Sequence, residues 1–190
     1  MNIGIDIDDT IMDTFDYLIP YIAEYFKIDI DYLKENNISY CNLPEKWKKN
    51  EIEFAKKYYD KVIVNTPIKP EVAKYIDKIR EMGHKIFIIT ARDNNLYTNP
   101  YKTTIEQLNI NNIYYDKLVC TFDKVQACIN EHIDLLIDDS IHNCIEADKV
   151  KTDILLFNSK SNCNEDTKFK RVNTWKEVYE YLLKLKNIRY

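Results

Sequence analysis

Short apolar runs alternate with helical periods along this chain, and no segment repeats. Residues 2–7, Asn-Ile-Gly-Ile-Asp-Ile, predict a buried strand. Over 70–82 the apolar residues Val72, Ile76, Ile79 and Met82 recur at helical spacing, which predicts an amphipathic helix. Its punctuation agrees: Pro70 suits the first helical position, and Gly83 the left-handed residue past the end. The run 86–89, Ile-Phe-Ile-Ile, is too short for a helix and too apolar for a half-exposed strand. Further strands are expected over 118–121, 133–137 and 154–157, separated by helices near 102–109, 123–131 and 143–149. A last helix opens with a capping box, Thr174 and Glu177, and turns Trp175, Val178, Tyr179, Leu182 and Leu183 inward. The polar stretch 158–173 reads as a surface loop. Strands and helices alternating in this way predict an α/β fold, a parallel sheet covered on both faces.

Residues 14–66 break the rhythm. They are crowded with aromatic and charged side chains, among them Phe15, Tyr17, Tyr21, Tyr25, Phe26, Tyr40, Trp47, Phe54, Tyr58 and Tyr59. Pro20 leaves one helix boundary open, because an interior proline kinks or ends a helix. The stretch reads as a mostly helical insertion after the first strand, with Pro67 and Pro70 marking its return. The division is then a core of residues 1–13 and 67–190 and an inserted unit of 14–66.

Composition narrows the chemistry. The chain has 190 residues, 45% apolar and 31% charged, enough for one domain with a substantial core. Its two glycines, Gly4 and Gly83, cannot supply a dinucleotide fingerprint or a P-loop, nor a nucleophile elbow around Ser. A formal net charge of −4 gives no encouragement to nucleic-acid binding. The five cysteines (Cys41, Cys120, Cys128, Cys144 and Cys163) are dispersed without a CxxC pair, which suits reduced thiols in a cytoplasm. His84, His132 and His142 lack metal-ligand spacing. No apolar run approaches the roughly 20 residues that cross a bilayer, so neither a membrane span nor a signal peptide is expected.

Three strands run straight into polar chemistry. The first ends in Asp6-Ile7-Asp8-Asp9-Thr10, the second in Thr90-Ala91-Arg92, and the run 135–137 in Asp138-Asp139-Ser140. In an open α/β sheet, ligands bind beyond the carboxyl ends of the strands, so these groups can meet in one crevice. Two carboxylates about 4 Å apart repel by roughly 4 kcal/mol at an effective dielectric of 20. A hard divalent cation relieves that repulsion, and an all-oxygen ligand set favours Mg²⁺ over zinc. Lys124, opening the helix before the Asp138 strand, offers a compact positive charge to an anionic substrate. Taken singly, an Asp after a strand is an ordinary turn former or helix cap. Asp6 is harder to explain that way, since an unpaired carboxylate in an apolar strand is costly to bury.

In this order Asp6-x-Asp8-x-Thr10, Thr90, Lys124 and Asp138-Asp139 resemble the four motifs of the haloacid dehalogenase-like (HAD) phosphohydrolases, over essentially the whole chain. The strings Ile-Gly-Ile-Asp-Ile-Asp-Asp-Thr, Thr-Ala-Arg and Leu-Ile-Asp-Asp-Ser are most similar to the small 5′-nucleotidase and deoxyribonucleotidase branch. The resemblance implies a three-layer Rossmann-like core with a helical cap at 14–66. It also implies hydrolysis of a small phosphomonoester, such as a nucleoside monophosphate, through an aspartyl-phosphate. Asp6 would be the nucleophile, and Asp8 the acid and then the base, with its pKa expected to be raised. Thr90 would bind phosphoryl oxygens and Lys124 would neutralise charge. Mg²⁺ would be held by Asp6, the backbone carbonyl of Asp8 and one of Asp138 and Asp139, with Asp139 favoured. Asp9, where many members have Gly, would be a turn residue. For substrate contacts the candidates are Thr10 and Arg92, with Arg92 open between substrate and a surface salt bridge. One or two of Phe15, Tyr17, Tyr21 and Trp47 would line the pocket, where an aromatic ring can stack on a base. The competing readings are a phosphatase of another small ester, such as a sugar phosphate, and a phospho-acceptor receiver module.

Overall fold

A computed structural model describes residues 1–188. Strand β1 (Asn2–Ile5) is followed by helices α1 (Thr14–Phe26), α2 (Ile30–Glu35), α3 (Glu45–Lys48) and α4 (Glu51–Val62). The chain then alternates: α5 (Val72–Glu81), β2 (Lys85–Thr90), α6 (Pro100–Ile110), β3 (Lys117–Cys120), α7 (Lys124–Asn130), β4 (Leu135–Asp138) and α8 (Ile141–Lys149). It closes with β5 (Asp153–Phe157), β6 (Lys170–Val172) and α9 (Trp175–Ile188). The six strands form one parallel sheet in the order β3-β2-β1-β4-β5-β6. This is the predicted α/β architecture, with β1 at the centre and strand order reversing on either side of it.

Alternation along the strands divides the core into two layers. Ile3, Ile5, Ile86, Ile88, Leu135 and Ile137 pack with Val72, Tyr75, Ile76 and Ile79 of α5 and with Trp175, Val178 and Leu182 of α9. On the opposite face Phe87, Ile89, Leu136 and Leu156 meet Ala127 and Cys128 of α7 and Cys144 and Ala147 of α8. Gly4 sits in the middle of that second face, where an added Cβ would lie 3.1–3.2 Å from Ile133, Ile89 and Leu136 side chains.

Helices α1, α2 and α4 bury their apolar faces on one another, with Leu18, Ile22, Leu33, Phe54, Tyr58 and Ile63 in a separate cluster. Tyr97 joins this cluster from the loop after β2 and packs on Tyr59 at 5.1 Å between ring centroids. Pro20 lies inside α1 on its exposed side, so the helix runs through it. Among the described residues, no helix is long and apolar enough to cross a membrane.

Three local expectations change. Helix α5 starts at Val72, with Glu71 before it in the left-handed region (φ 59°), so Pro70 lies in the preceding turn. Gly83 does take the left-handed conformation past the helix end (φ 87°). The stretch 158–173 is not all loop: Lys170–Val172 pairs with Leu155–Phe157 as the sheet's edge strand. Three residues with one buried position are too few to show a period. The capping box of α9 is shifted by one residue. Thr174 Oγ1 accepts from Glu177 N at 3.2 Å, but the Glu177 carboxylate takes the backbone N–H of Asn173 at 2.8 Å.

Candidate active site

Register brings the acidic residues together. Ile5 pairs with Ile137, and the backbone N–H of Asp6 continues the ladder to the Ile137 carbonyl at 3.0 Å. Asp6 and Asp138 therefore stand side by side past the last paired residues and, by the pleat, on the face that α7 covers. Helix α7 is capped by Asp123, whose carboxylate accepts from Gln126 N at 2.9 Å. Its first residue, Lys124, reaches both carboxylates: Nζ donates to Asp6 Oδ1 at 2.5 Å and to Asp138 Oδ2 at 2.7 Å. All three side chains are buried.

The two members of the Asp138–Asp139 pair are used differently. Asp138 is saturated: Oδ1 accepts from Ser140 N at 2.8 Å, Oδ2 from Lys124, and Asn143 Nδ2 reaches both oxygens at 3.1 and 3.3 Å. Asp139 is also buried, yet among the described residues its carboxylate receives only a long bond from Ser161 Oγ at 3.3 Å and a contact with Ser159. Carboxylate oxygens of Asp6, Asp138 and Asp139 all lie within 4.8 Å of one another, a buried acidic triad that could hold a metal ion.

Burial and crowding shift the ionisation of this group. Burial, with Asp138 and Asp8 nearby, outweighs Lys124 and pushes the Asp6 carboxyl up to about 7. Burial, then Asp138, Asp6 and Asp9, holds Asp139 well above the usual carboxylate range. Burial alone would lower the Lys124 ammonium; the Asp138 and Asp6 charges overcome it and keep the lysine charged.

Asp8 behaves the opposite way from expectation. Burial would raise it, but the Arg92 guanidinium prevails and its carboxyl is held below the ordinary value. Arg92 Nε donates to Asp8 Oδ2 at 3.0 Å and Nη2 to Oδ1 at 2.7 Å, while Thr14 Oγ1 donates to Oδ1 at 2.7 Å. Such a bidentate, charge-assisted pair strongly favours the ionised carboxylate. Arg92 is thus a buried partner of Asp8 and not a surface salt bridge. Asp9 occupies the turn in the left-handed region (φ 58°) and accepts from Phe15 N at 3.0 Å.

A cavity of about 650 Å³ opens over this centre. Asp6, Asp8, Arg92, Lys124, Asp138 and Asp139 are among its polar lining residues. Phe15, Tyr40, Tyr59, Leu96 and Tyr97 form an aromatic and apolar wall, with Glu51 among them, and the exposed Phe122 also lines the cavity. Thr90 lies beneath the lining, fully buried at the end of β2. Among the described residues its Oγ1 has no hydrogen-bond partner. Thr10 and Tyr17 are not in the lining: Thr10 is buried with its carbonyl accepting from Trp175 Nε1 at 3.1 Å, and Tyr17 packs on Tyr21. Tyr21 and Trp47 are likewise outside it. Sequence reasoning did not single out Glu51, Leu96, Tyr97 or Phe122. The apolar pair Leu96-Tyr97 in an otherwise polar loop was the available signal.

Comparison with known proteins agrees with this geometry. The model of the family described as 5′ nucleotidase, deoxy (pyrimidine), cytosolic type C, matches residues 1–188. No curated protein matches the chain. Among solved structures, the chain is similar to a haloacid dehalogenase-like family hydrolase from Streptococcus pneumoniae (TM-score 0.66, 14% identity, 95% of this chain and 97% of that one). It also resembles a "predicted phosphatase" from Clostridium acetobutylicum (TM-score 0.68, 16% identity, 96% and 98%). A third is a HAD-superfamily hydrolase from Ehrlichia chaffeensis (TM-score 0.60, 12% identity, 97% and 96%). At such identities the likeness is one of fold.

Proposed function

Because the chain belongs to the cytosolic type C 5′-nucleotidase family, and is thus a phosphatase of the HAD-like superfamily, we propose that it dephosphorylates nucleoside 5′-monophosphates through an aspartyl-phosphate on Asp6. The observation that carries this reading is the single cavity in which the Asp6–Lys124–Asp138 centre adjoins a wall of aromatic rings. One part suits a phosphate and the other a planar base, because stacking on rings tolerates many bases. The helical unit of 14–66 serves as the cap that supplies most of that wall. The family's cytosolic description supports work in the cytoplasm.

The residues divide the chemistry as follows. An Asp6 oxygen attacks phosphorus and the ester P–O bond breaks, while Asp8 gives a proton to the departing oxygen. Water then attacks the aspartyl-phosphate, Asp8 takes the water's proton, and the P–O bond to Asp6 breaks to release phosphate. The ionised Asp8 suits the second half directly. For the first half it must gain a proton, which a monoanionic phosphomonoester can bring with it. Lys124 compensates charge on the nucleophile, and the unpartnered Thr90 hydroxyl is a buried donor for a phosphoryl oxygen.

The donor set fits Mg²⁺: all oxygen, clustered within 4.8 Å, and with Asp139 short of partners. Asp6, Asp139 and the backbone carbonyl of Asp8 would hold it, since Asp138 is already committed to Lys124, Ser140 and Asn143. When bound, the ion would screen the repulsion between nucleophile and phosphate.

The substrate class is tested with purified protein and Mg²⁺ on nucleoside 5′-monophosphates, nucleoside 3′-monophosphates and sugar phosphates. We expect kcat/KM for the best 5′-nucleotide to exceed that for any sugar phosphate by about tenfold or more, as an aromatic binding wall implies. Equal or better turnover of sugar phosphates would remove the nucleotide assignment.

Ionisation gives a second expectation. Burial, with Asp138 and Asp8 nearby, pushes the folded Asp6 carboxyl up to about 7, against roughly 3.9 in an unfolded chain. Its folded pKa is raised, so the folded state holds more protons between those values and stability falls as pH rises through them. Asp9, pushed up to about 6 by burial, acts in the same direction. Asp8, being lowered, loses its contribution only below the ordinary carboxylate range, outside this window. Metal-free protein should therefore melt lower near about pH 8 than near about pH 5, and Mg²⁺ should raise Tm by several degrees more at the higher pH. A Mg²⁺ shift that is equal at both pH values, followed by differential scanning fluorimetry, would contradict the assignment of the triad.

A further inference from the structure

Arg92 does not hold Asp8 alone. Its remaining nitrogen, Nη1, donates to Gln107 Oε1 at 2.6 Å, and Gln107 Nε2 donates to the Ile63 carbonyl at 2.5 Å. Arg92 and Gln107 are both buried. Ile63 begins the short turn, Ile63–Asn65, by which the chain leaves α4. The amide can sit only one way: turned over, it would set donor against guanidinium and acceptor against carbonyl. Three of the buried residues of α6 are polar, Thr103, Thr104 and Gln107, beside the apolar Pro100 and Leu108. Gln107 is therefore an exception to the apolar rule for buried helix faces, and both of its polar atoms are spent on fixed partners.

A planar guanidinium that makes a two-bond fork to a carboxylate dictates where both carboxylate oxygens lie. The fork is only as well placed as its own third contact. From this geometry we propose that Gln107 is a positioning residue: by fixing Arg92, and by anchoring itself on the Ile63 carbonyl, it sets the orientation of Asp8 for proton transfer. The proposal rests on the reading of Asp8 as acid and base given above.

The experiment compares kcat/KM for a nucleoside 5′-monophosphate with kcat/KM for 2,4-dinitrophenyl phosphate. The alkoxide leaving group needs a proton; the dinitrophenolate does not. This parameter covers steps only through ester cleavage, so the later attack of water does not enter. The ratio of the two is read on one sample, so a partly unfolded variant does not distort it. Asp8→Asn should lower the ratio on the order of 100-fold. Gln107→Met, which keeps the volume but accepts nothing from Arg92, should lower it about tenfold. Gln107→Glu, which keeps an acceptor for Arg92 but gives up the donor to the Ile63 carbonyl, should fall less than Gln107→Met, to about a third of the native ratio.

If Asp8→Asn lowers the ratio and Gln107→Met does not, the positioning role is wrong while the Asp8 reading stands. If Gln107→Glu falls as far as Gln107→Met, acceptance from Arg92 is not what Gln107 supplies, and the proposal is again overturned. A native ratio in Asp8→Asn would instead remove the acid role itself, and the proposal with it.

Discussion

Asp6→Asn is expected to reduce turnover by on the order of 10⁴-fold or more, because it removes the nucleophile and not merely a helper. A factor of 10⁴ corresponds to about 5.4 kcal/mol of lost transition-state stabilisation. The same change should leave the fold intact or strengthen it. Asp6 is buried, and its carboxyl is pushed up to about 7 by burial and by Asp138 and Asp8. Ionising it in the metal-free protein works against folding. An amide in its place is neutral at every pH, can still accept from Lys124, and leaves Lys124 paired with Asp138. The variant should therefore melt at or above the wild-type temperature near about pH 8 without Mg²⁺, and show a smaller Mg²⁺ shift. Activity is read on a nucleotide and on an aryl phosphate, and stability by thermal melts. A protein that turned over at a tenth of the native rate would rule out Asp6 as nucleophile, and a dead but unstable one would rule out the electrostatic argument.

That expectation draws on residues that stand out in the sequence itself. Asp6, Thr90 and Asp138 each follow an apolar run short enough to be one strand, and the parallel register then aligns the ends. A strand's alternation is local, so both the sheet and the level at which chemistry emerges from it can be read from spacing. Side-chain partnerships across the fold are not local. Arg92 and Asp8 are 84 residues apart, and their two-bond pairing reverses the ionisation expected of Asp8 from burial and like charges alone. Gln107 looks like one more polar helix residue until the packing of α6 puts it between Arg92 and Ile63. The cavity wall shows the same limit. Phe15 is among the aromatics picked out beforehand, but Tyr97 reaches the wall from a loop outside the helical insertion, by packing on Tyr59. Edge strand β6 was missed for another reason, since three residues with a single buried position carry no period.

Lys124→Met tests the other side of the same charge balance and should be damaging in both respects. Lys124 is the buried cation that bridges Asp6 and Asp138, at 2.5 and 2.7 Å. Methionine fills similar volume but leaves two buried carboxylates facing each other, with Asp139 within the same cluster. Breaking a buried ion pair by removing one partner costs about 3–5 kcal/mol, mostly the penalty of the charge left behind. For a domain of this size that is a fall in Tm of roughly 6–20 °C. The penalty is greatest where the carboxyls are ionised, so the deficit should be larger near about pH 8 than near about pH 5. Turnover should also fall by about 10²–10³-fold, since charge built up on the phosphoryl group loses a fixed, buried cation. Asp6→Asn then becomes a diagnostic partner. If the damage is electrostatic, adding it to Lys124→Met removes one of the stranded charges, and the double variant should melt above Lys124→Met alone. If the damage were loss of packing, the second substitution would bring no recovery, and the recovery would not grow with pH. A Lys124→Met protein that melted within about a degree of wild type at both pH values would mean that the carboxyls beside Lys124 are already neutral in the native protein. In that case Lys124 would not be the cation that sustains an ionised Asp6, and the division of roles between nucleophile and lysine would have to be abandoned.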